Sequence, residues 1–81
     1  MMKAVDLTKL KGKIKFVEHF ADYDVEICTI NPDLKVKIVE HFPNEMGQWQ
    51  IVDSMEDIKI RIVENFGDFR IKFVEHFPGL F

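Results

Sequence analysis

An internal repeat of eleven residues constrains this chain more than any other feature. Val-Glu-His-Phe occurs at Val17–Phe20, Val39–Phe42 and Val74–Phe77, with a near-copy at Val63–Phe66. Lettering the unit a to k, the six units begin at Lys13, Asp24, Lys35, Gln48, Lys59 and Arg70, spaced 11, 11, 13, 11 and 11 residues apart. The two extra residues fall in the Glu45-Met46-Gly47 stretch. The 81 residues therefore read as one domain, with six units over 13–81 and a weakly patterned N-terminal segment over 1–12.

The columns are chemically uniform. Position b holds Ile14, Val25, Val36, Trp49, Ile60 and Ile71; position d holds Phe16, Ile27, Ile38, Ile51, Ile62 and Phe73. Position e holds Val17, Cys28, Val39, Val52, Val63 and Val74, and position k holds Tyr23, Leu34, Ile58, Phe69 and Leu80. Positions a and c are mostly Lys or Arg, f mostly Glu, and j mostly Asp or Asn.

An eleven-residue period suits a right-handed helical supercoil, at about 3.67 residues per turn. On that helix the cationic position a falls inside the apolar arc and the apolar position b falls outside it. Pro32, Pro43 and Pro78 recur at position i, where each breaks a helix. Ile and Val number 17 against two Ala, which also favours strands. The period-two alternation of Ile58-Lys59-Ile60-Arg61-Ile62 decides for strands, followed by turn residues at i and j such as Pro32-Asp33 and Gly67-Asp68.

Each unit is thus one short strand plus a corner. Val at e and Glu at f fall out of alternation, which predicts a bend or bulge there. A core of b, d and k with much of e and h is expected. Open edges invite aggregation, so the units are expected to close on one another. Ala4-Val5-Asp6-Leu7 is a candidate additional strand. The expected fold is all-β: about seven short strands, compact and closed.

At 47% hydrophobic and 31% charged residues, the chain is neither a disordered tail nor a membrane protein. Eleven Lys and Arg against fourteen Asp and Glu argue against a general nucleic-acid or anionic-membrane binder. Cys28 is the sole cysteine, which excludes an intrachain disulfide. No long apolar run suggests a leader or a transmembrane helix, and with the lone cysteine this leads to a cytoplasmic expectation.

The units resemble the small bacterial septoil-knot domain family, whose chain carries a seven-crossing torus knot. The resemblance lies in the succession of Asp-apolar-Lys-apolar-x-apolar-Val-acid segments, as in Asp57–Glu64, and in the longer connection into the Trp strand Gly47–Ser54. It covers roughly residues 13–80. Where family members favour Asp-Ser-Lys-Tyr after the strand, this chain mostly has Glu-His-Phe, and Asp53-Ser54 alone keeps the former type. The resemblance implies a knotted all-β fold and no agreed activity.

Several groups suggest chemistry, each with a structural alternative. His19, His41 and His76 share position g beside a Glu, so convergence of those units would suit zinc or nickel; otherwise they are surface residues copied with the repeat. Glu18, Glu40, Asp53, Glu64 and Glu75 supply carboxylates for acid–base work, but five equivalents give no reason for one special pair, and binding backbone N–H groups or lysines is the simpler role. Lys13, Lys15, Lys35, Lys37, Lys59, Arg61, Arg70 and Lys72 form basic rows able to contact phosphates, or else a solvated face that discourages edge pairing.

Cys28 reads as a small hydrophobe and Trp49 as a core anchor. Phe20, Phe42, Phe66 and Phe77 at h are expected to close the corners over the core, or, if exposed, to mark a protein-binding patch. The sequence points to a non-enzymatic structural or interaction module without catalytic residues, metal or cofactor, as a monomer or small homo-oligomer. A protein partner fits this reading, a membrane does not, and nucleic acid is the less favoured partner. The alternatives are a nucleic-acid or small-ligand module using the basic rows, and a metal-binding protein using the Glu-His pairs.

Overall fold

The computed structural model describes residues 5–80. Seven strands follow one another: β1 (Gly12–Phe16), β2 (Tyr23–Ile27), β3 (Leu34–Ile38), β4 (Gln48–Ile51), β5 (Ile58–Ile62), β6 (Phe69–Phe73) and β7 (Gly79–Leu80). Strands β1–β6 cover positions k to d of successive units, β4 starting one residue later at a. Each ends where the alternation fails. The registers run on without a bulge, so the bend expected at e and f is the end of the strand instead.

The sheet order is β4-β1-β5-β2-β6-β3, and a further β3–β4 pairing closes it into a six-stranded barrel. All six joints are parallel. One rule sets every register: position b of one strand faces position k of the next. Ile14 faces Ile58, Ile60 faces Tyr23, Val25 faces Phe69, and Ile71 faces Leu34. Six two-residue steps make a stagger of twelve. At about 3.3 Å per residue and 4.8 Å between strands, that stagger tilts the strands by roughly 54° from the barrel axis.

The chain goes round this barrel twice. β1, β2 and β3 form the first lap, and β4, β5 and β6 fill the gaps between them. A next-but-one step from β3 would land on the site of β1, so the second lap has to begin beside β3. The two-residue insertion sits at this change of step. Gln48 closes the connection into β4, its N–H donating to Glu45 O at 2.9 Å and its Oε1 accepting from Glu45 N at 3.2 Å. Gly47 is obligatory here: its φ is +83°, and a Cβ would lie 2.5 Å from Lys35 O and 2.8 Å from Gly79 N.

The other corners run over the outside of the strand they skip. After β1, Val17 N donates to Ile60 O on one side of β5, and Asp22 N donates to Lys59 O on the other. The corners after β2, β4, β5 and β6 cross β6, β1, β2 and β3 with equivalent bonds from position e, for example Cys28 N to Ile71 O at 2.8 Å. The contact is close: a Cβ on Gly67 would stand 3.0 Å from Glu26 N and 3.3 Å from Asp24 O. This is why position i carries Ala, Gly or Pro at five of its six sites.

An aspartate at position j locks four of these crossings. Lys13 N, Asp24 N, Lys59 N and Arg70 N donate to the carboxylates of Asp57, Asp68, Asp22 and Asp33 at 2.8–2.9 Å. The N–H groups of the same aspartates donate to the carbonyls of the same four residues. Each aspartate thereby extends the ladder by two bonds at a strand start that has no neighbour there.

The core differs from the expected one. All six b residues are fully buried, together with Leu10, Leu34 and Phe69. The d residues are half-exposed, at 40–51%, and Phe20, Phe42, Phe66 and Phe77 do not close over the core but stand out at 80–96%. Trp49 is buried as expected, its indole N–H donating to Leu10 O at 3.1 Å. The N-terminal candidate strand is absent: Leu7–Lys9 is a 3-10 turn capped by the Asp6 side chain, and Ala4 lies outside the described residues. The seventh strand is β7, antiparallel on β3.

Truncation at b should therefore cost far more than at d. Ile60→Ala is expected to lose about 2–5 kcal/mol and the half-exposed Ile62→Ala clearly less, as read from urea unfolding midpoints.

Candidate functional site: the open end of the barrel

The two ends of the barrel are unlike. At the k end, Leu10 plugs the interior, with Val5, Leu7, Tyr23, Met46 and Ile58 packed against the core. Tyr23 and Phe69 meet edge-on at 5.9 Å. Leu10 O accepts both Trp49 Nε1 and Gly47 N at 3.1 Å, so the plug is tied to the second-lap strand. At the d end no described segment covers the barrel. Phe16, Ile27, Ile38, Ile51, Ile62 and Phe73, one from each strand, form an apolar mouth.

A second apolar set stands in the corners that cross the barrel wall. Position h is Phe20, Asn31, Phe42, Met55, Phe66 and Phe77, and all six have positive φ, between 51° and 62°. This left-handed conformation reverses the chain in each corner and belongs to Gly or Asn, costing other residues about 1–2 kcal/mol. Only Asn31 suits it. The four phenylalanines and Met55 accept it while exposing 80–96% of their surface. His19, His41 and His76 stack obliquely on the next phenylalanine of their own corner, at 6.1–6.5 Å between ring centres. They are exposed in three separate corners, and no group of three His, Cys, Asp or Glu side chains among the described residues is placed to hold a metal ion.

The carboxylates of the f column do not bind backbone N–H groups among the described residues; that role belongs to position j. Glu18, Glu40, Asp53, Glu64 and Glu75 are all exposed. Glu18 lines an open groove at the mouth with Phe16, Val17, Arg61 and Ile62. A second groove, at the plugged end, is lined by Lys9, Leu10, Asp22, Tyr23, Asp57 and Ile58. Cys28 is a free, half-buried thiol at the start of the corner after β2.

The basic rows lie outside, on the barrel wall, where position c of each strand faces position a of the next. Only β2 brings acids to this belt. Asp24 holds Arg61 through two bonds of 2.8 and 2.9 Å, which raises the guanidinium pKa further, and Glu26 faces Arg70. Elsewhere Lys15 faces Lys59 and Lys35 faces Lys72, while Lys37 and Lys13 face Gln48 and Gln50. The eight predicted cations thus divide into Arg61, paired with Asp24, Arg70, which lies opposite Glu26 and donates to Asn31 O at 3.1 Å, and an arc of six lysines across β6, β3, β4, β1 and β5.

Residues 7–80 match the family model of the 7(1) septoil knot domain. The chain belongs to the septoil knot domain family. The resemblance read from the repeat is correct, and the interleaved laps and outside crossings give this domain its all-β form. None of the curated proteins matches the chain significantly. No helix among the described residues is long and apolar enough to cross a membrane.

Nothing in the sequence marks h as left-handed, because phenylalanine is not a signal for that conformation; Asn31 is the one clue. Phe66 is the most exposed of the set, so Phe66→Gly relieves backbone strain without removing packing. It is expected to be neutral or stabilising by up to about 1 kcal/mol in urea unfolding, whereas loss of more than 1 kcal/mol would mean the ring packs on the fold.

Proposed function

We propose that this septoil knot domain is a non-enzymatic interaction module that presents its exposed apolar residues, those of the corners and those of the barrel mouth, to a protein partner. One observation carries the reading: large apolar residues at h are kept at φ values near +60°, at 80–96% exposure, in five of six corners. Backbone strain and solvation both oppose that choice, and glycine would remove both costs. A surface held against its own stability is held for contact. Capture of a partner from nuclease-treated lysate should occur with the native protein. It should fail when Phe20, Phe42, Phe66 and Phe77 are all replaced by Gly, with the unfolding midpoint retained.

The rest of the domain serves as a rigid frame for that surface. Each strand lies beneath or beside segments from the other lap, so opening one unit requires displacing its neighbours, and a knotted chain has also to be unthreaded. Unfolding is expected to be slow, with a rate constant extrapolated to water at or below about 10⁻⁵ s⁻¹. A value near 1 s⁻¹ would remove the robust-scaffold part of this reading.

The lysine arc favours a second reading, binding of a polyanion such as single-stranded nucleic acid. Lysines directly opposite one another are unfavourable in a sheet, and Lys15–Lys59 and Lys35–Lys72 have no ion-pair partner among the described residues. A gel shift that weakens steeply with salt and with Lys35→Glu supports this reading; no shift at low salt rejects it.

A further inference from the structure

The interaction reading leaves the chemistry of the partner open, and the charge around the mouth narrows it. We infer that the mouth takes a protein segment whose apolar side chains enter the ring of d residues and whose flanking Lys or Arg residues meet the f carboxylates. This rests on the interaction reading above.

The f residue follows its d residue by two positions, so the exposed carboxylates of Glu18, Glu40, Asp53, Glu64 and Glu75 accompany the mouth on five of its six sides. The sixth side has Thr29. The groove shared by Phe16, Val17, Glu18 and Ile62 shows both components side by side, apolar wall and carboxylate. Arg61 also lines that groove, but its charge is matched by Asp24. The lysines at a and c alternate with the inward residues and so leave the barrel wall outward, away from the ring.

This pattern separates the possible occupants. A second copy docked mouth to mouth would bring five carboxylates against five. An anionic lipid surface would meet the same repulsion. A segment with cations beside its apolar residues gains from both features, and the long-range attraction speeds its encounter.

The test uses the whole chain and two labelled peptides with the same Leu-Phe-Leu centre, one flanked by three Lys on each side and one by three Glu. Fluorescence anisotropy gives affinities, and amide NMR shifts give the location. The Lys-flanked peptide should bind saturably, at least tenfold tighter than the Glu-flanked one, shifting the amides of Phe16, Ile38, Ile62 and Phe73. Glu18→Lys with Glu64→Lys should weaken it at least tenfold at an unchanged unfolding midpoint, while Glu45→Lys in the β3–β4 connection should not.

Equal binding of both peptides at the mouth overturns the charge selection and leaves the interaction reading standing. Shifts confined to the lysine belt or the plugged end, or no saturable binding of either peptide, remove both. A mouth-to-mouth dimer in sedimentation, or binding to vesicles containing anionic lipid, also overturns the inference, and the vesicle result overturns the protein-partner reading with it.

Discussion

Closure of the hydrogen-bond ladder is the constraint on which everything else depends. Six short parallel strands have no stability singly, and an open sheet of this size would leave two edges unpaired. Pairing position b with position k at every joint closes the ring and brings all six b residues to one level, where they are fully buried. The same stagger tilts the strands steeply. A steep tilt lets a six-residue corner lead from the end of one strand to the start of another without a crossover helix, which parallel strands ordinarily need.

The interleaving of the two laps follows from that geometry. A corner spans two strand widths, so three strands complete a lap with gaps between them, and only a change of step lets the chain fill the gaps. The insertion before β4 supplies it, with Gly47 passing within contact of both β3 and β7. Because each crossing lies directly on a strand, corner residues face opposite demands. The i residue must be small or constrained, the j aspartate must replace a missing neighbour, and the h residue must reverse the chain at positive φ. Two of those demands are met by residues suited to them; the third is met mainly by phenylalanine.

The uncovered d ring and the acidic f column belong to one end of the barrel, while the N-terminal segment seals the other. The wall between the ends carries the cations. A chain whose overall charge is only −3 therefore presents separate surfaces, an acid-rimmed apolar end and a basic belt broken by β2. Net charge hides this division, because Arg61 is paired with Asp24 and Arg70 lies opposite Glu26, while the six lysines face lysine or glutamine.

Much of this was legible in the repeat: the strands from alternation, the corners from Pro, Gly and Asp, the closed all-β body from the edge problem, and the burial of Trp49 from its column. These properties are local, set by backbone sterics and by the period of side chains along a strand. The core was only partly legible. Ile62 and Ile60 look equivalent in the sequence, yet one lies at the open mouth and the other at the middle of the barrel. Phe66 looks like a core residue and is exposed because its φ is set by the crossing, and Asp6 caps a 3-10 turn where a strand was expected. Strand order, the pairing of Lys15 with Lys59 and of Arg61 with Asp24, and the uncovered end depend on which lap lies beside which. That is a matter of long-range closure, and no residue's own preference encodes it.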